Sequence, residues 1–400
     1  MLILHFILQY WLTSRQIKYL RAHINTIPPS FSEVIDKVSH QRAVHYTITK
    51  CRLAQIEYLW DSIILYVLSL GGGIAYLDRF IQHYTAHPSI AGISLIAAVL
   101  LLSGLCALPT TLYRTFVIEA KFGFNRTTLK TFVSDQLKTL LISALFGIPL
   151  IYLILWFIDT LGNFWWFAAW GLWMVFGLLM MLLYPSVIAP LFNRFTPLEN
   201  AALQARIQRL LEQCGFSSQG VFVADGSRRS SHANAYFSGM GKSKRIVFFD
   251  TLIQRLETDE IEAVLAHELG HFKYHHLHWR MVWGYLLGLV LLGTCAWIMS
   301  FDAFYSAFKV TTPSAAVGLL LFFIWVPSFS FPLRGLSNAL SRRHEFEADR
   351  FAATISSRQA LIRGLVKLYR DNATPLSTDR WYAFYYHSHP AASTRIAALQ

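Results

Sequence analysis

His267, Glu268 and His271 stand in an H-E-x-x-H pentapeptide, a spacing suited to chemistry on a metal ion. On a helix, residues four apart sit about 40° apart around the axis, so both imidazoles point the same way. Two neutral imidazole nitrogens can then hold a zinc ion, one per chain, with Glu268 beside the open coordination position. From there Glu268 can take a proton from a water that the metal activates, which is the chemistry of metal-assisted peptide hydrolysis. A catalytic zinc of this kind takes a third protein ligand and keeps its fourth position open. The stretch Arg342 to Asp349 offers a candidate, because Glu345 and Asp349 are four apart and share one helix face. Glu345 can coordinate directly, and Asp349 can accept a hydrogen bond from the outer ring nitrogen of a ligating histidine. Two acids at this spacing also fit a charged, solvated helix face.

The pentapeptide needs a helix to hold it. Glu257-Thr258-Asp259-Glu260 is an acidic helix start with Thr258 as its expected cap, and Ile261, Val264 and Leu265 carry an apolar face into the motif. Gly270 is expected to keep the metal-facing side free of bulk. Upstream, Ala201 to Gln213 has the periodicity of an amphipathic helix, with Leu203, Ile207, Leu210 and Leu211 on one face. Gly220 to Ala224 and Lys244 to Phe249 have the composition of short strands.

These elements form a polar insert in an apolar chain. Of 400 residues, 54% are hydrophobic and only 14% charged, where a soluble globular protein has roughly 25% charged residues. About seven apolar segments are legible: Leu2 to Leu12, Trp60 to Leu77, Ile90 to Leu112, Leu137 to Ile158, Phe164 to Leu183, Met281 to Met299 and Ala315 to Phe331. The first is too short to cross a ~30 Å hydrocarbon core as an isolated helix. It is expected either to lie at the interface or to be the remainder of a longer first helix inside which the given chain starts. The division expected is a transmembrane region at 1–192, a first protease part at 193–280, two further spans at 281–333 and a second protease part at 334–400.

The basic residues alternate between connections. Arg15, Lys18, Arg21, Lys37, Arg42, Lys50 and Arg52 follow the first run, whereas the next connection has only Arg79. Arg114, Lys121, Arg126, Lys130 and Lys138 load the third, and Asp159 to Asn163 has none. The insert and the C-terminal region are both basic, with only Lys309 between the last two runs, so the positive-inside rule puts both in the cytoplasm. The formal charge of +12 is therefore explained by membrane topology, and no nucleic-acid partner is expected. Cys51, Cys106, Cys214 and Cys295 are too scattered for a disulfide framework or a zinc ribbon.

Ordered blocks along nearly the whole chain resemble the Ste24 family of zinc metalloproteases, the CAAX prenyl endopeptidases of peptidase family M48. They include Arg15-Gln16, Tyr46-Thr47, Phe116 to Glu119, Phe122 to Arg126 and Phe192 to Leu198. Asp225 to Ser227, Asn234 to Phe237, Lys244 to Val247, Ser341-Arg342 and His387 to Pro390 with Arg395 complete the set. The resemblance implies a mainly α, polytopic fold whose helices form a barrel around an intramembrane chamber. A cytoplasmic gluzincin-type zinc domain with a small β-sheet would cap it. It implies His267, His271 and Glu345 as ligands, Glu268 as general base and Asp349 as the partner of His267. By the same resemblance Asn234 and Ala235 pair with the substrate backbone, and His389 and Arg395 bind substrate or stabilise the oxyanion.

The expected partners are a peptide or protein substrate, prenylated ones included, and the lipid bilayer, with no obligatory protein partner. The chain ends in Ala397-Ala398-Leu399-Gln400 and shows no retrieval signal, which favours a bacterial inner membrane as the expected host and protein turnover as the role. The competing readings are another membrane metalloprotease of different specificity and a non-catalytic scaffold stabilised by zinc. Several side chains attract attention for other reasons. His275, His276 and His278 are expected to make interfacial contacts, and Trp165 and Trp166 to form an aromatic belt. Asp135 and Lys138 suit either a polar cavity or a juxtamembrane position, and Gly71-Gly72-Gly73 suits close helix packing.

Overall fold

A computed structural model describes residues 1–238 and 245–400 of the chain. Hydrocarbon offers no water to backbone N–H and C=O groups, so the apolar runs close their hydrogen bonds internally as helices. In chain order these are α1 (Leu2–Ala22), α2 (Lys37–Leu68), α3 (Gly73–Tyr84), α4 (Pro88–Leu112), α5 (Leu129–Leu161) and α6 (Trp165–Leu183). The insert adds α7 (Ala189–Phe192), α8 (Ala201–Gln213), α9 (Asp250–Ile253) and α10 (Thr258–Lys273). Then come α11 (His276–Met299), α12 (Asp302–Ser306), α13 (Ala315–Ile355), α14 (Arg358–Asp371), α15 (Arg380–Tyr386) and α16 (Ala392–Leu399).

By length and composition, four continuous helical stretches among the described residues suffice to cross a membrane: Pro88–Glu119, Leu129–Phe192, His276–Met299 and Ala315–Ile355. The pair Lys37–Leu68 and Gly73–Tyr84, bent by 50°, passes the same test as one broken span. The stretch Leu129–Phe192 doubles back at Gly162–Phe164, where α5 and α6 form an antiparallel pair with the Phe146 and Phe176 rings 6.3 Å apart. The short first run belongs to a longer helix, the 21 residues of α1, about 31 Å at 1.5 Å per residue. Its polar half is docked: Gln16 Oε1 accepts from the Asp379 amide at 2.8 Å, and Arg15 pairs with Asp379 at 2.8 Å. Between α1, α11 and α13 lies a cavity of about 1010 Å³, lined by His5, Gln9, Leu291, Thr294, Trp325 and Arg334 among others.

Three sequence expectations change here. The run Trp60 to Leu77 is not one helix but is broken at its glycines into α2 and α3. Gly72 adopts a left-handed φ of 81°, and a Cβ at Gly71 or Gly73 would press to 2.8 or 2.7 Å on the Val67 carbonyl at the end of α2. Trp165 and Trp166 do not form a belt: Trp165 is buried and the Trp166 ring lies against Gly293 of α11. The boundary expected between 333 and 334 falls inside α13, whose 41 residues run unbroken through Pro327 and Pro332. At about 61 Å, this helix carries an apolar run at one end and Glu345 and Asp349 near the other.

The insert builds a four-stranded sheet from β1 (Phe195–Pro197), β2 (Val221–Ala224), β3 (Ala235–Ser238) and β4 (Arg245–Phe249), in the order β1-β2-β4-β3. Lys244, expected in the last strand, lies outside the described residues. β2 and β4 run parallel, whereas β1 and β3 pair antiparallel on either side and form the edges. The apolar face of α8 (Leu203, Ile207, Leu210) meets Ile246 and Phe248 of β4, Leu265 of α10 and Leu361 of α14 in one buried cluster. This domain is tied to the membrane helices by Arg229, which donates to Asp135 of α5 at 2.7 and 3.0 Å. Asp135 therefore belongs to the seam between the two regions.

Candidate active site

Helix α10 starts one residue earlier in its capping than expected. Glu257 is the N-cap, its side chain accepting from the N3 amide while Glu260 returns a bond to the Glu257 amide at 2.9 Å; Thr258 is the first helical residue. Ile261, Leu265 and Leu269 are buried on one face and fix the rotation of the helix, so that His267 and His271 face α13. Gly270 has a different use from the one expected. It faces α13 itself, and an added Cβ would lie 2.9 Å from Ala348 Cα and 3.2 Å from its carbonyl oxygen. The absent side chain is what lets the two helices approach.

A test follows directly. In an open helical position Gly→Ala is stabilising by about 1 kcal/mol. Gly270→Ala instead is expected to lower stability by about 1–3 kcal/mol through overpacking, and to reduce the zinc retained per chain. Thermal unfolding in detergent and metal analysis measure both; a stabilised, fully metallated Gly270→Ala protein would contradict this packing.

Glu345 arrives on α13 between the two imidazoles. Its Oε2 lies 3.5 Å from His267 Nε2 and its Oε1 lies 3.4 Å from His271 Nε2. The three residues offer ligand atoms within 4.8 Å of one another. Ligand atoms at ~2.1 Å from a tetrahedral zinc stand about 3.4 Å apart, so the spacing suits that ion. Glu345 Oε2 is buried and lacks a well-directed hydrogen bond, although His389 Nδ1 approaches to 2.7 Å. A buried carboxylate oxygen without a well-directed donor is costly, and a cation there would relieve it.

The other ring nitrogens are held from behind. His267 Nδ1 lies 2.9 Å from Asp349 Oδ1. Asp349 in turn receives two bonds from Arg395, at 2.6 and 2.7 Å, all three side chains being buried. Burial and the Arg395 charge lower the proton affinity of His267, but its bonds to Asp349 and Glu345 outweigh them and hold its pKa above the ordinary imidazole value. Two carboxylates that retain a proton on a buried imidazole supply the same field that attracts a divalent cation, which displaces that proton. Burial lowers the pKa of Arg395, but its bonds to Asp349 and the nearby negative charge outweigh that and hold it above the usual guanidinium value. Arg395 spends both strong bonds on Asp349, which suits orienting His267 more than contacting substrate.

A pocket of about 120 Å³ gathers Asn234, Ala235, His267, Glu268, Glu345, His389 and Arg395. Glu268 is half-buried and follows His267 directly, so it borders the pocket beside the ligand atoms. His389 is exposed at 66% and reaches in over Glu345. Asn234 is exposed at the start of the edge strand β3, and its Oδ1 accepts from the Ala235 amide at 2.9 Å. All the candidate residues except His271 and Asp349 thus line one pocket, and those two stand behind it.

Two contributors escape the sequence reading. Asn372 bonds both backbone groups of Ala233, accepting from its amide at 3.0 Å and donating to its carbonyl at 3.3 Å, and so sets the approach to β3. Nothing in the local sequence marks it. His276 is not an interfacial residue: it is buried, with Nδ1 3.0 Å from His271 Nδ1 and Nε2 3.0 Å from Glu347. The preceding His275 adopts a left-handed φ of 56°, uncommon outside glycine, and this turns the chain so that His276 comes back beneath His271. A third histidine soon after the pentapeptide was the available signal.

This arrangement, two helices bringing His267, His271 and Glu345 close enough to hold a metal beside a carboxylate and an edge strand at the end of an apolar helical region, defines a membrane metalloprotease. Residues 16–194 match the family described as CAAX prenyl protease N-terminal, five membrane helices, and residues 197–400 match Peptidase family M48. The chain belongs to peptidase family M48, among the Ste24-type CAAX prenyl proteases. It is 35% identical to a CAAX prenyl protease 1 homolog of Oryza sativa subsp. japonica, over 100% of this chain and 95% of the relative. CAAX prenyl protease 1 of Saccharomyces cerevisiae is 33% identical, over 99% and 93%. The crystal structure of S. mikatae Ste24p is similar with a TM-score of 0.92 at 29% identity, covering 100% of this chain and 97% of that one.

Proposed function

We propose that this chain is a zinc endopeptidase that draws an extended peptide along β3 and cleaves it beside Glu268, with C-terminal prenylated CAAX peptides among its substrates. The observation that carries this reading is the approach of Glu345 to within 3.4–3.5 Å of both His267 and His271, next to Glu268 in a pocket bordered by an edge strand. His267, His271 and Glu345 would hold the zinc, which when bound polarises the scissile carbonyl and acidifies water. Glu268 takes the proton from the attacking water and returns it to the leaving amine. His389, which lines the same pocket, donates an N–H to the oxyanion that develops on the carbonyl oxygen. The backbone of Asn234 and Ala235 offers strand pairing to the peptide, while Asp349 and Arg395 orient His267. The basic connections support a site that faces the cytoplasm. The printed names of the Oryza and Saccharomyces relatives support the substrate class.

The purified chain in detergent, given a farnesylated C-terminal peptide, is expected to cleave it. A chelator should abolish the activity and stoichiometric zinc should restore it. Cleavage that persists after the zinc has been stripped would overturn the metal assignment. Absence of cleavage by a zinc-loaded, folded chain on farnesylated and unmodified peptides alike would overturn the enzyme reading.

A further inference from the structure

We propose that His276 and Glu347 are positioning residues for the metal, forming a relay that fixes the tautomer and ring orientation of His271; this rests on the reading of His271 as a ligand. The contact between His271 Nδ1 and His276 Nδ1, at 3.0 Å, can hold only one proton. His271 must present an unprotonated Nε2 towards Glu345 to bind a metal, so its proton resides on Nδ1. His276 Nδ1 then accepts, which leaves the His276 proton on Nε2, where Glu347 Oε2 receives it at 3.0 Å. Every hydrogen bond in the chain Glu347–His276–His271 points the same way, and a single ring flip would break two of them.

The plane of His276 is fixed as well. Its ring stacks on His344 with centroids 4.0 Å apart and planes 10° apart, and both rings are buried. Glu347 is itself held by Arg343 at 3.3 Å. His267 and His271 thus receive different support: His267 is backed by a carboxylate directly, whereas His271 is backed by a carboxylate acting through a second imidazole. Such outer partners orient ligands and raise their basicity.

His276, His344 and Glu347 also lie close enough to suggest a second cation site. Three observations weigh against it. Both nitrogens of His276 are already bonded. In stacked rings the nitrogen lone pairs run parallel within their planes and do not converge on one ion. Arg343 and Arg350 line the adjoining pocket and repel a cation.

Zinc affinity of the full chain, measured by competition with a chromophoric chelator, tests the relay without recourse to activity. Asn can place Oδ1 where Nδ1 of histidine stood, so His276→Asn keeps an acceptor for His271, while His276→Leu removes it. His276→Leu is expected to weaken zinc binding by about 10–100-fold, and His276→Asn to recover most of that loss. Glu347→Gln, altered at the half-exposed end of the relay, should weaken binding by a smaller factor with an unchanged melting temperature of the metal-free protein. Zinc binding by His276→Leu as tight as the parent's, or His276→Asn as weak as His276→Leu, would overturn the relay. A parent chain that binds no stoichiometric zinc would instead overturn the proposed function.

Discussion

Glu268→Gln is expected to retain one zinc per chain and to lose about 10²- to 10⁴-fold in peptide hydrolysis, the usual contribution of a positioned general base. The substitution keeps the size and hydrogen-bonding shape of the side chain but removes its ability to accept a proton. Glu268 borders the pocket yet stands outside the His267, His271 and Glu345 triad. The fold of α10 should hold too, because the residues that anchor that helix are Ile261, Leu265 and Leu269. Loss of zinc together with activity would show that the carboxylate is a ligand. Unchanged activity would remove Glu268 from the mechanism. Because the variant should still bind substrate, comparing membranes that carry the parent with membranes that carry Glu268→Gln is also the most direct way to find what is cut in the cell.

The second large effect concerns Asp349. Asp349→Ala leaves Arg395 buried with its two strongest bonds gone. Breaking a buried pair by removing one partner costs about 3–5 kcal/mol, most of it from the uncompensated charge. There is a second consequence at the metal. Arg395 Nη1 is already 3.7 Å from Glu345 Oε2, so a guanidinium released from Asp349 competes for the proposed third ligand. Zinc affinity should therefore fall along with stability. The double variant Asp349→Leu, Arg395→Met separates the two effects, since apolar replacement of a buried pair is often neutral or stabilising. It is expected to regain the melting temperature of the parent but not its zinc affinity, because His267 Nδ1 still lacks its carboxylate. Recovery of both properties would mean that Asp349 serves only to neutralise Arg395.

Features with a strong local period were legible in the sequence. Helical spacing alone placed His267 with His271 and Glu345 with Asp349, and α8 has the bounds its apolar face suggests. Membrane character followed from the length and greasiness of the runs. What was not legible depends on contacts between distant segments. Gly270 looked like space for a metal and is space for Ala348, and no local pattern distinguishes the two. The tryptophans of α6 have the composition of an interface belt, but their surroundings are set by α11, more than a hundred residues on; Trp170 donates to the Tyr285 carbonyl at 2.8 Å. His276 stands where the chain re-enters an apolar run, a position with the look of an interface, but the left-handed turn at His275 returns it to the site. The continuity of α13 was hidden by two prolines and a change from apolar to charged sequence, each of which ordinarily marks an end.

The unbroken α13 has a consequence for how this enzyme comes into being. His267 and His271 are synthesised before α11 and α13 enter the bilayer, whereas Glu345 lies on the far extension of the second of those passes. The proposed ligand set is therefore divided between two segments of chain that are separated in the sequence by the hairpin of α11 and α13. Until α13 follows, the nascent chain holds two of the three proposed ligands. Assembly of the proposed site thus depends on the placement of the hairpin formed by α11 and α13.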